Sequence, residues 1–124
     1  MTISEAISQV DALKPNTYSP AEKIRWLSTL DMGIKAEITD THEGGEAFSD
    51  FAGYADDAAG DTELIACAPY DDIYILWLCA MIDYNNGETA RYNNSVALYN
   101  ARWSAYRNYY NSTHLPRETK MKFF

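Results

Sequence analysis

The chain has 124 residues, of which 47% are hydrophobic and 23% are charged, and these values are those of one ordinary globular domain. The apolar content excludes a chain that is disordered throughout, and the length suffices for one core without disulfides. The longest stretch free of charged and turn residues, 73–82, is about half as long as a membrane-spanning helix. We therefore expect a soluble protein with neither a membrane span nor a secretory signal, and we expect Cys67 and Cys79 to be reduced and buried.

Negative charge is concentrated in the middle of the chain. The formal net charge is -8, and the interval between Lys35 and Arg91 has neither Lys nor Arg but holds thirteen acids: Glu37, Asp40, Glu43, Glu46, Asp50, Asp56, Asp57, Asp61, Glu63, Asp71, Asp72, Asp83 and Glu88. All compensating bases lie toward the ends. Ordinary DNA or RNA recognition is disfavoured because it needs Lys and Arg to displace the counterions of the phosphates. Two interpretations stay open: a solvated surface that only keeps the protein soluble, and an acidic surface with a function.

Two capping boxes predict the first two helices. The first box is Thr2-Ile3-Ser4-Glu5, and its helix should end near Leu13 because Pro15 follows. The second box begins at Ser19 with Pro20 at the first helical position, and apolar residues then recur every three or four positions. We expect this second helix to run from Pro20 to near Thr41.

Residues 43–68 form a long glycine-broken segment that we interpret as a loop. It is longer than most connections in a compact domain, which favours a role in binding or assembly. Phe48, Phe51 and Tyr54 are spaced by three and are expected to pack against the body of the protein or against a neighbouring subunit. A short strand at 62–66 is a further expectation.

The third and fourth helices should pair as an antiparallel hairpin. The third begins near Pro69, is apolar on all sides and stops at Asn85-Asn86-Gly87, so it should be central or lie between subunits. The fourth runs from Glu88 to about Ser112 with a heptad seam of Tyr92, Val96, Tyr99, Trp103, Tyr106 and Tyr110. A seam rich in tyrosine suits either a core helix with its hydroxyls in solvent or a subunit interface. The candidate interface residues are Phe48, Phe51, Tyr54, Tyr99, Tyr106 and Tyr110.

The patterns predict an all-α fold and no catalytic, metal or cofactor site. His42-Glu43 lacks the second histidine of a zinc-protease helix, and residues 56–63 lack the order of a calcium loop. The fold should be a small four-helix bundle over residues 1–114, with the acidic loop at 43–68 and an extended arm at 115–124. The arm is either a frayed end or a docking segment. Its candidate docking residues are Arg117, Lys120, Met121, Lys122, Phe123 and Phe124.

The order of these segments resembles the head-to-tail connector (adaptor) proteins of tailed bacteriophages and prophages. The resemblance covers nearly the whole chain, and its most specific parts are PYDD at 69–72, Trp77 and IDYxxGExxRYNN at 82–94. It implies a helical virion subunit without an active site, made in the host cytoplasm and placed at the neck. There it would form a homo-oligomeric ring matched to the twelve-fold portal protein, and it would lead the DNA channel toward the next neck or tail-completion protein.

The acidic centre agrees with this implied function. A channel for double-stranded DNA should repel phosphates so that the duplex passes without specific binding. The candidate channel-lining residues are Asp50, Asp56, Asp57, Asp61 and Glu63. The alternative is a DNA mimic whose carboxylates occupy the basic cleft of a DNA-binding enzyme.

Overall fold

Four α-helices make up most of the chain in a computed structural model that describes residues 1–116. They are α1 (Ile3–Leu13), α2 (Pro20–Glu37), α3 (Ile73–Asn85) and α4 (Thr89–Thr113). Short 3-10 turns lie at Thr39–Thr41, Gly45–Phe48 and Tyr70–Asp72. The structure is 66% helical, and its described part has two isolated β-bridges but no strand. The prediction of an all-α fold is confirmed.

Capping boxes begin the first two helices as the sequence predicts. The Thr2 hydroxyl accepts a hydrogen bond from the Glu5 amide, and the Glu5 carboxylate accepts one from the Thr2 amide. Ser19 and Glu22 form the same reciprocal pair at α2, with Pro20 in the first turn. These bonds satisfy amide groups that a helix N-terminus leaves without intrahelical partners.

Helix α2 ends at Glu37, four residues before the expected end at Thr41. The Thr39 hydroxyl donates to the Lys35 carbonyl, and the Thr41 hydroxyl donates to the Ile38 carbonyl. Side-chain hydroxyls of this kind compete with backbone amides for the carbonyl groups of a helix. The chain therefore leaves the α-helix and continues as a 3-10 turn.

Helix α3 lies at the centre of the structure. Ile73, Tyr74, Leu78 and Ile82 are completely buried, and α3 contacts each of the other three helices. This position explains why the helix is apolar on all sides. Gly87 follows with a φ of +73°, a left-handed conformation that favours glycine, and α3 and α4 then pack along each other as a hairpin.

The tyrosine seam of α4 is buried only at its C-terminal end. Tyr106 and Tyr110 are 2% and 5% exposed and belong to the chain's own core, whereas Tyr92, Tyr99 and Trp103 are partly exposed. Tyr106 and Tyr110 were expected at a subunit interface. They leave almost no surface for a second subunit, because aromatic side chains from residue 42 and from the turn at 70–72 cover this end of α4.

The expected strand at residues 62–66 is wrong. This segment makes one antiparallel bridge, between Thr2 and Glu63. A ladder needs a second extended segment, and the chain beside residues 62–66 is the start of α1, which turns helical at Ile3. The contact is therefore limited to a single bridge.

The prediction that both cysteines are buried is also wrong. Cys67 is exposed and Cys79 is half-buried, although both are free thiols. Leu64 and Ala66 take the inward positions of this segment with exposures of 6% and 0%. Because side chains alternate along an extended chain, Cys67 faces outward.

A buried carboxylate joins the loop to the helices. Asp31 on α2 is fully buried and accepts hydrogen bonds from the hydroxyls of Tyr54 and Tyr74 and from the amide of Ile65. The Tyr74 hydroxyl lies 2.6 Å from Asp31 Oδ1 and accepts a second hydrogen bond from the Ala66 amide, also at 2.6 Å. Asp31 therefore connects α2, α3 and two parts of the loop.

Removing the Tyr74 hydroxyl should weaken the fold more than removing the Tyr54 hydroxyl. Tyr74→Phe leaves the Ala66 amide without an acceptor and takes a donor from Asp31, so we expect a loss of about 2–3 kcal/mol. Tyr54→Phe removes one bond at a half-buried position and should cost about 1 kcal/mol. Urea unfolding followed by circular dichroism measures both, and equal losses would contradict the bridging role of Tyr74.

The contribution of Asp31 to stability should depend on pH. Burial raises the pKa of Asp31 above its ordinary value of 3.8, although hydrogen bonds from Tyr54, Tyr74 and Ile65 act in the opposite direction. The folded state then binds more protons than the unfolded state, so this contribution decreases as the pH rises from about 3.8 through the raised pKa.

Asp31→Asn removes this titration. The difference in unfolding free energy between wild type and the variant should shrink as the pH rises from about 4 to about 8. Unfolding in urea at a series of pH values gives this difference. A difference that grows with pH would mean that the hydrogen bonds outweigh burial.

Candidate functional site

The fold pairs most acids of the central interval with bases. Within residues 1–116, eight of the thirteen lie within 4.0 Å of a basic group: Glu37, Asp40, Asp56, Glu63, Asp71, Asp72, Asp83 and Glu88. Their partners come from both ends of the chain and include the N-terminal amine. Seven basic groups from outside the interval therefore partly offset the charges of these eight carboxylates, since Glu63 and Asp71 share the amino group of Met1.

Two of the expected channel-lining residues are among these paired acids. Arg25 donates from Nε and Nη2 to the two carboxylate oxygens of Asp56 at 3.0 and 2.7 Å, and these hydrogen bonds hold the pKa of Asp56 below its ordinary value. Glu63 Oε2 lies 3.4 Å from the amino group of Met1. Asp56 and Glu63 are thus weaker candidates for repelling phosphates than the sequence suggests.

The other three expected lining residues keep their charge uncompensated. Asp50, Asp57 and Asp61 are exposed and form no ion pair with any part of the chain between residues 1 and 116. We call these three residues the unpaired loop acids. Their charges are screened only by solvent and salt.

The N-terminus of α1 anchors the loop beside these acids. The Ile3 amide donates to the Thr62 carbonyl at 3.0 Å, and the Ser4 amide donates to the Gly60 carbonyl at 2.9 Å. Both amides belong to the first turn of α1, where they have no intrahelical acceptor. The loop carbonyl groups therefore accept hydrogen bonds from the first amides of α1. These bonds also fix the loop backbone on either side of Asp61.

A glycine permits a second anchor on α2. The Tyr54 amide donates to the Ser28 hydroxyl at 3.0 Å, and Gly53 just before it has a φ of +101°. A Cβ on Gly53 would lie 2.6 Å from the Ser28 oxygen. Both the conformation and the close approach require glycine here.

The loop aromatics pack partly on the protein's own body. Tyr54 donates to the buried Asp31 carboxylate, and its ring meets that of Phe51 edge to face at a centroid distance of 4.9 Å. Tyr54 is therefore a structural residue of the single chain. Phe48 and Phe51 are partly exposed, and their place at a subunit interface stays a prediction.

A groove lies between α2 and α4, and α3 contributes part of its lining. It has a volume of about 300 Å³ and is lined by Thr29, Leu30, Gly33, Glu37, Trp77, Tyr99, Asn100 and Trp103. We call it the α2–α4 groove. The Trp77 indole donates to the Trp26 carbonyl at 2.8 Å, which fixes its ring, and the Tyr99 ring lies 4.9 Å from it.

The Tyr99 hydroxyl is a polar group without a hydrogen bond to residues 1–116. Burial, and to a lesser degree the charge of Glu37, raises the pKa of Tyr99 to about 12. The hydroxyl therefore stays protonated at neutral pH and is available as a donor. Tyr99 is the only expected interface tyrosine on α4 that is not part of the buried core.

The two histidines take structural positions. His42 is 7% exposed, and its Nδ1 lies 2.7 Å from the Ile38 carbonyl, which fixes Nδ1 as the donor. The Tyr110 ring stacks on His114 at 3.8 Å and meets His42 edge to face at 5.2 Å. The described residues contain no group of His, Cys, Asp and Glu arranged to hold a metal ion.

Sequence reasoning missed the buried ionic groups. Asp31 and Asp83 are both fully buried; Lys14 Nζ lies 2.9 Å from Asp83 Oδ1, and the Ser95 hydroxyl donates to Oδ2 at 3.1 Å. The signal that could have predicted their burial is the position of each acid among apolar residues. Asp31 falls at a position of the apolar repeat of α2, and Asp83 directly follows the apolar run of α3. Their partners are distant in sequence and carry no signal of their own.

The candidate docking residues of the arm, 117–124, lie outside the described residues. The first two residues of the expected arm belong to the fold. The Leu115 carbonyl accepts from the Glu43 amide at 2.8 Å, and Pro116 forms an antiparallel bridge with His42. Residues 115 and 116 of the expected arm are therefore held against the start of the acidic loop.

Comparison with protein-family models, with curated proteins and with solved structures finds no match to this chain. Among residues 1–116, none of the helices is both long enough and apolar enough to cross a membrane. The function is therefore inferred from the residues themselves.

Gly33 leaves room in the α2–α4 groove, so Gly33→Ala should stabilise the protein. An added Cβ would lie 3.9 Å from the Trp103 ring, an ordinary contact, and alanine in a helix interior is favoured over glycine by about 0.5–1 kcal/mol. Thermal or urea unfolding measures this gain. Gly53→Ala is the matched control and should instead lose more than about 1 kcal/mol, because its backbone is left-handed.

Proposed function

We propose that the chain is a structural subunit of the head-to-tail connector of a tailed phage or prophage. Several copies form a ring that docks on the portal protein and extends the DNA channel toward the next neck protein. In this proposal each subunit is a four-helix bundle with the α3–α4 hairpin, the acidic loop and a C-terminal docking arm. Its place is the neck of the virion.

The observation that carries the proposal is the set of unpaired loop acids on an anchored loop. A channel wall must let the duplex pass, and fixed carboxylates repel its phosphates. Hydrogen bonds to α1 and to Ser28 hold the loop on both sides of Asp57. These anchors restrain Asp57 and Asp61, which lie between or beside them, so in this proposal both carboxylates stay in place as DNA passes.

The motifs that carry the resemblance support the hairpin. Arg102 on α4 donates to Asp72 Oδ1 at 2.9 Å, and its guanidinium lies 5.3 Å from the centre of the Tyr70 ring. Asp83 accepts from Ser95 on α4. These contacts join the start and the end of α3 to α4, which gives a ring subunit a rigid element for its side contacts.

The distribution of acids favours a connector over a DNA mimic. A mimic needs carboxylates spaced along a rigid rod to replace successive phosphates. The longest rod of this fold is α4, and its 25 residues include Arg91, Arg102 and Arg107 but no acid. The only acid on α3 after its first turn is Asp83, which is buried.

Binding to a portal ring tests the proposal directly. The purified protein should co-migrate in size-exclusion chromatography with the purified portal ring encoded with it, and it should appear as an added ring in electron micrographs. The protein alone is the control. Absence of binding together with tight capture by a DNA-binding enzyme would support the mimic instead.

Charge reversal on the loop should produce an affinity for DNA. We expect the variant Asp50→Lys, Asp57→Lys and Asp61→Lys to assemble on the portal and to retain duplex DNA in a salt-sensitive way, because each phosphate contact releases counterions. DNA retention by assembled particles and particle yield measure this effect. The same three positions changed to Asn are the matched control, which removes the charge without adding attraction.

Arg25 and Asp56 are left unchanged in both variants so that their ion pair keeps the loop in place. Normal particles with unchanged DNA movement in the Lys variant would show that these acids face away from the channel. Loss of portal binding in both variants would show that the loop contacts the portal instead.

A further inference from the structure

Three aromatic side chains lie next to one another in the α2–α4 groove. The Tyr99 ring neighbours the Trp77 ring at a centroid distance of 4.9 Å and the Trp103 ring at 6.2 Å. All three residues are partly exposed. We call Trp77, Tyr99 and Trp103 the aromatic panel. Its electron-rich rings attract a cation placed against them.

The polar lining of the groove can accept hydrogen bonds, and within residues 1–116 it includes no Lys, Arg or His. Thr29, Glu37 and Asn100 line the groove and are exposed. The Thr29 hydroxyl donates to the Arg25 carbonyl at 3.1 Å, so its oxygen remains an acceptor. The Tyr99 oxygen can also accept, because it has no hydrogen bond within the described chain. The lining therefore suits an occupant that is rich in donors.

Glu37 gives the groove a negative charge that the fold offsets only in part. Its side chain is 60% exposed, and its one ion pair within the described chain is with Arg107, at 3.6 Å. A charge-assisted hydrogen bond is shorter, at about 2.7–2.9 Å, so the Glu37 oxygens can still accept from another group. After burial, the charge of Glu37 is the second cause of the raised pKa of Tyr99. The carboxylate therefore acts on the groove itself.

A guanidinium group combines the properties that this lining requires. It is planar and always charged, it has five N–H donors and no acceptor, and it stacks on aromatic rings. The ammonium group of lysine is a compact and strongly hydrated charge, which suits it less to packing on rings. The balance of seven bases and seventeen acids in residues 1–116 also favours a cationic occupant.

The open rim of the groove favours an arginine that another protein carries. Because Thr29, Glu37 and Asn100 are exposed, an occupant keeps one side in solvent. A site for a free small molecule usually encloses most of its ligand. A second copy of the described chain is a poor source, because each of the four arginines in residues 1–116 already pairs with an acid of its own chain.

We propose that the α2–α4 groove binds an arginine side chain of a partner protein. The guanidinium packs on the aromatic panel and donates to the Glu37 carboxylate and to the Tyr99 oxygen. This inference goes beyond the proposed function and does not depend on it, because the site is complete in a single folded chain.

Titration of the full-length protein with short peptides tests the proposal. The probes are acetyl-Gly-Arg-Gly-amide and the same peptide with lysine or with citrulline, which keeps the planar shape of arginine without its charge. The arginine peptide should bind at least about ten-fold more tightly than either of the others. In nuclear magnetic resonance spectra it should shift the indole N–H resonances of Trp77 and Trp103. The resonance of Trp26, which does not line the groove, should stay in place.

Two variants of the groove sharpen the test. Glu37→Gln should weaken binding of the arginine peptide at least about five-fold. Glu88→Gln is the matched control and should leave binding unchanged, because Glu88 also forms one exposed ion pair, with Arg91 at 3.3 Å, but does not line the groove. Gly33→Met places a side chain in the groove and should abolish binding, while circular dichroism checks that the variant is folded.

Four outcomes would overturn the proposal. Citrulline or lysine peptides that bind as tightly as the arginine peptide would exclude recognition of a guanidinium group. Unmoved resonances of both Trp77 and Trp103, or full affinity in Glu37→Gln, would place the peptide elsewhere on the protein. Free argininamide that binds more than about ten-fold more tightly than the arginine peptide would indicate a small-molecule site instead of a protein partner.

Discussion

The fold depends on one buried carboxylate that must find donors away from water. Asp31 lies inside the apolar face of α2, where an isolated charge would be costly, and it is retained because two tyrosine hydroxyls and a backbone amide converge on it. The groups that donate to Asp31 also need it as an acceptor. Tyr74 needs a partner at the centre of α3, and the loop near residues 54 and 65 needs fixed attachment points. Satisfying Asp31 therefore positions the loop against α2 and α3 at residues 54 and 65, on both sides of Asp57 and Asp61.

The loop consequently has a defined conformation although it contains little regular secondary structure. Its carbonyl groups accept from the first amides of α1, and its glycine at position 53 lets the backbone approach Ser28. The fold also determines which carboxylates of the loop have a basic partner. Arg25 neutralises Asp56, while Asp50, Asp57 and Asp61 remain without partners in the described chain. Among the five expected lining residues, the fold thus leaves three carboxylates without an ion pair in the described chain, and these three carry the proposed channel surface.

Some aromatic residues of α4 are buried in the core, and others are partly exposed and line a groove. Tyr106 and Tyr110 close the core where α4 meets the turns around residues 42 and 70, whereas Tyr99 and Trp103 face a gap between α2 and α4. The gap exists because α2 and α4 each pack on α3 more closely than on each other, and Gly33 adds no side chain to fill it. The heptad repeat of α4 therefore contributes residues to the core at its C-terminal end and to the lining of the α2–α4 groove nearer its middle.

The sequence by itself determined the elements whose causes are local. Capping side chains, prolines and the apolar repeat specify where α1 and α2 begin, that α3 is buried either inside the protein or between subunits, and that α3 and α4 form a hairpin, because these signals act within a few residues. Only the tertiary structure decided which tyrosines are buried, that Cys67 is exposed, and that Asp31 and Asp83 find partners inside the protein. These outcomes depend on contacts between residues that are 12 to 69 positions apart, and no local pattern encodes such a distance. The same reason explains why the thirteen acids look uncompensated in the sequence although eight of them form ion pairs in the fold.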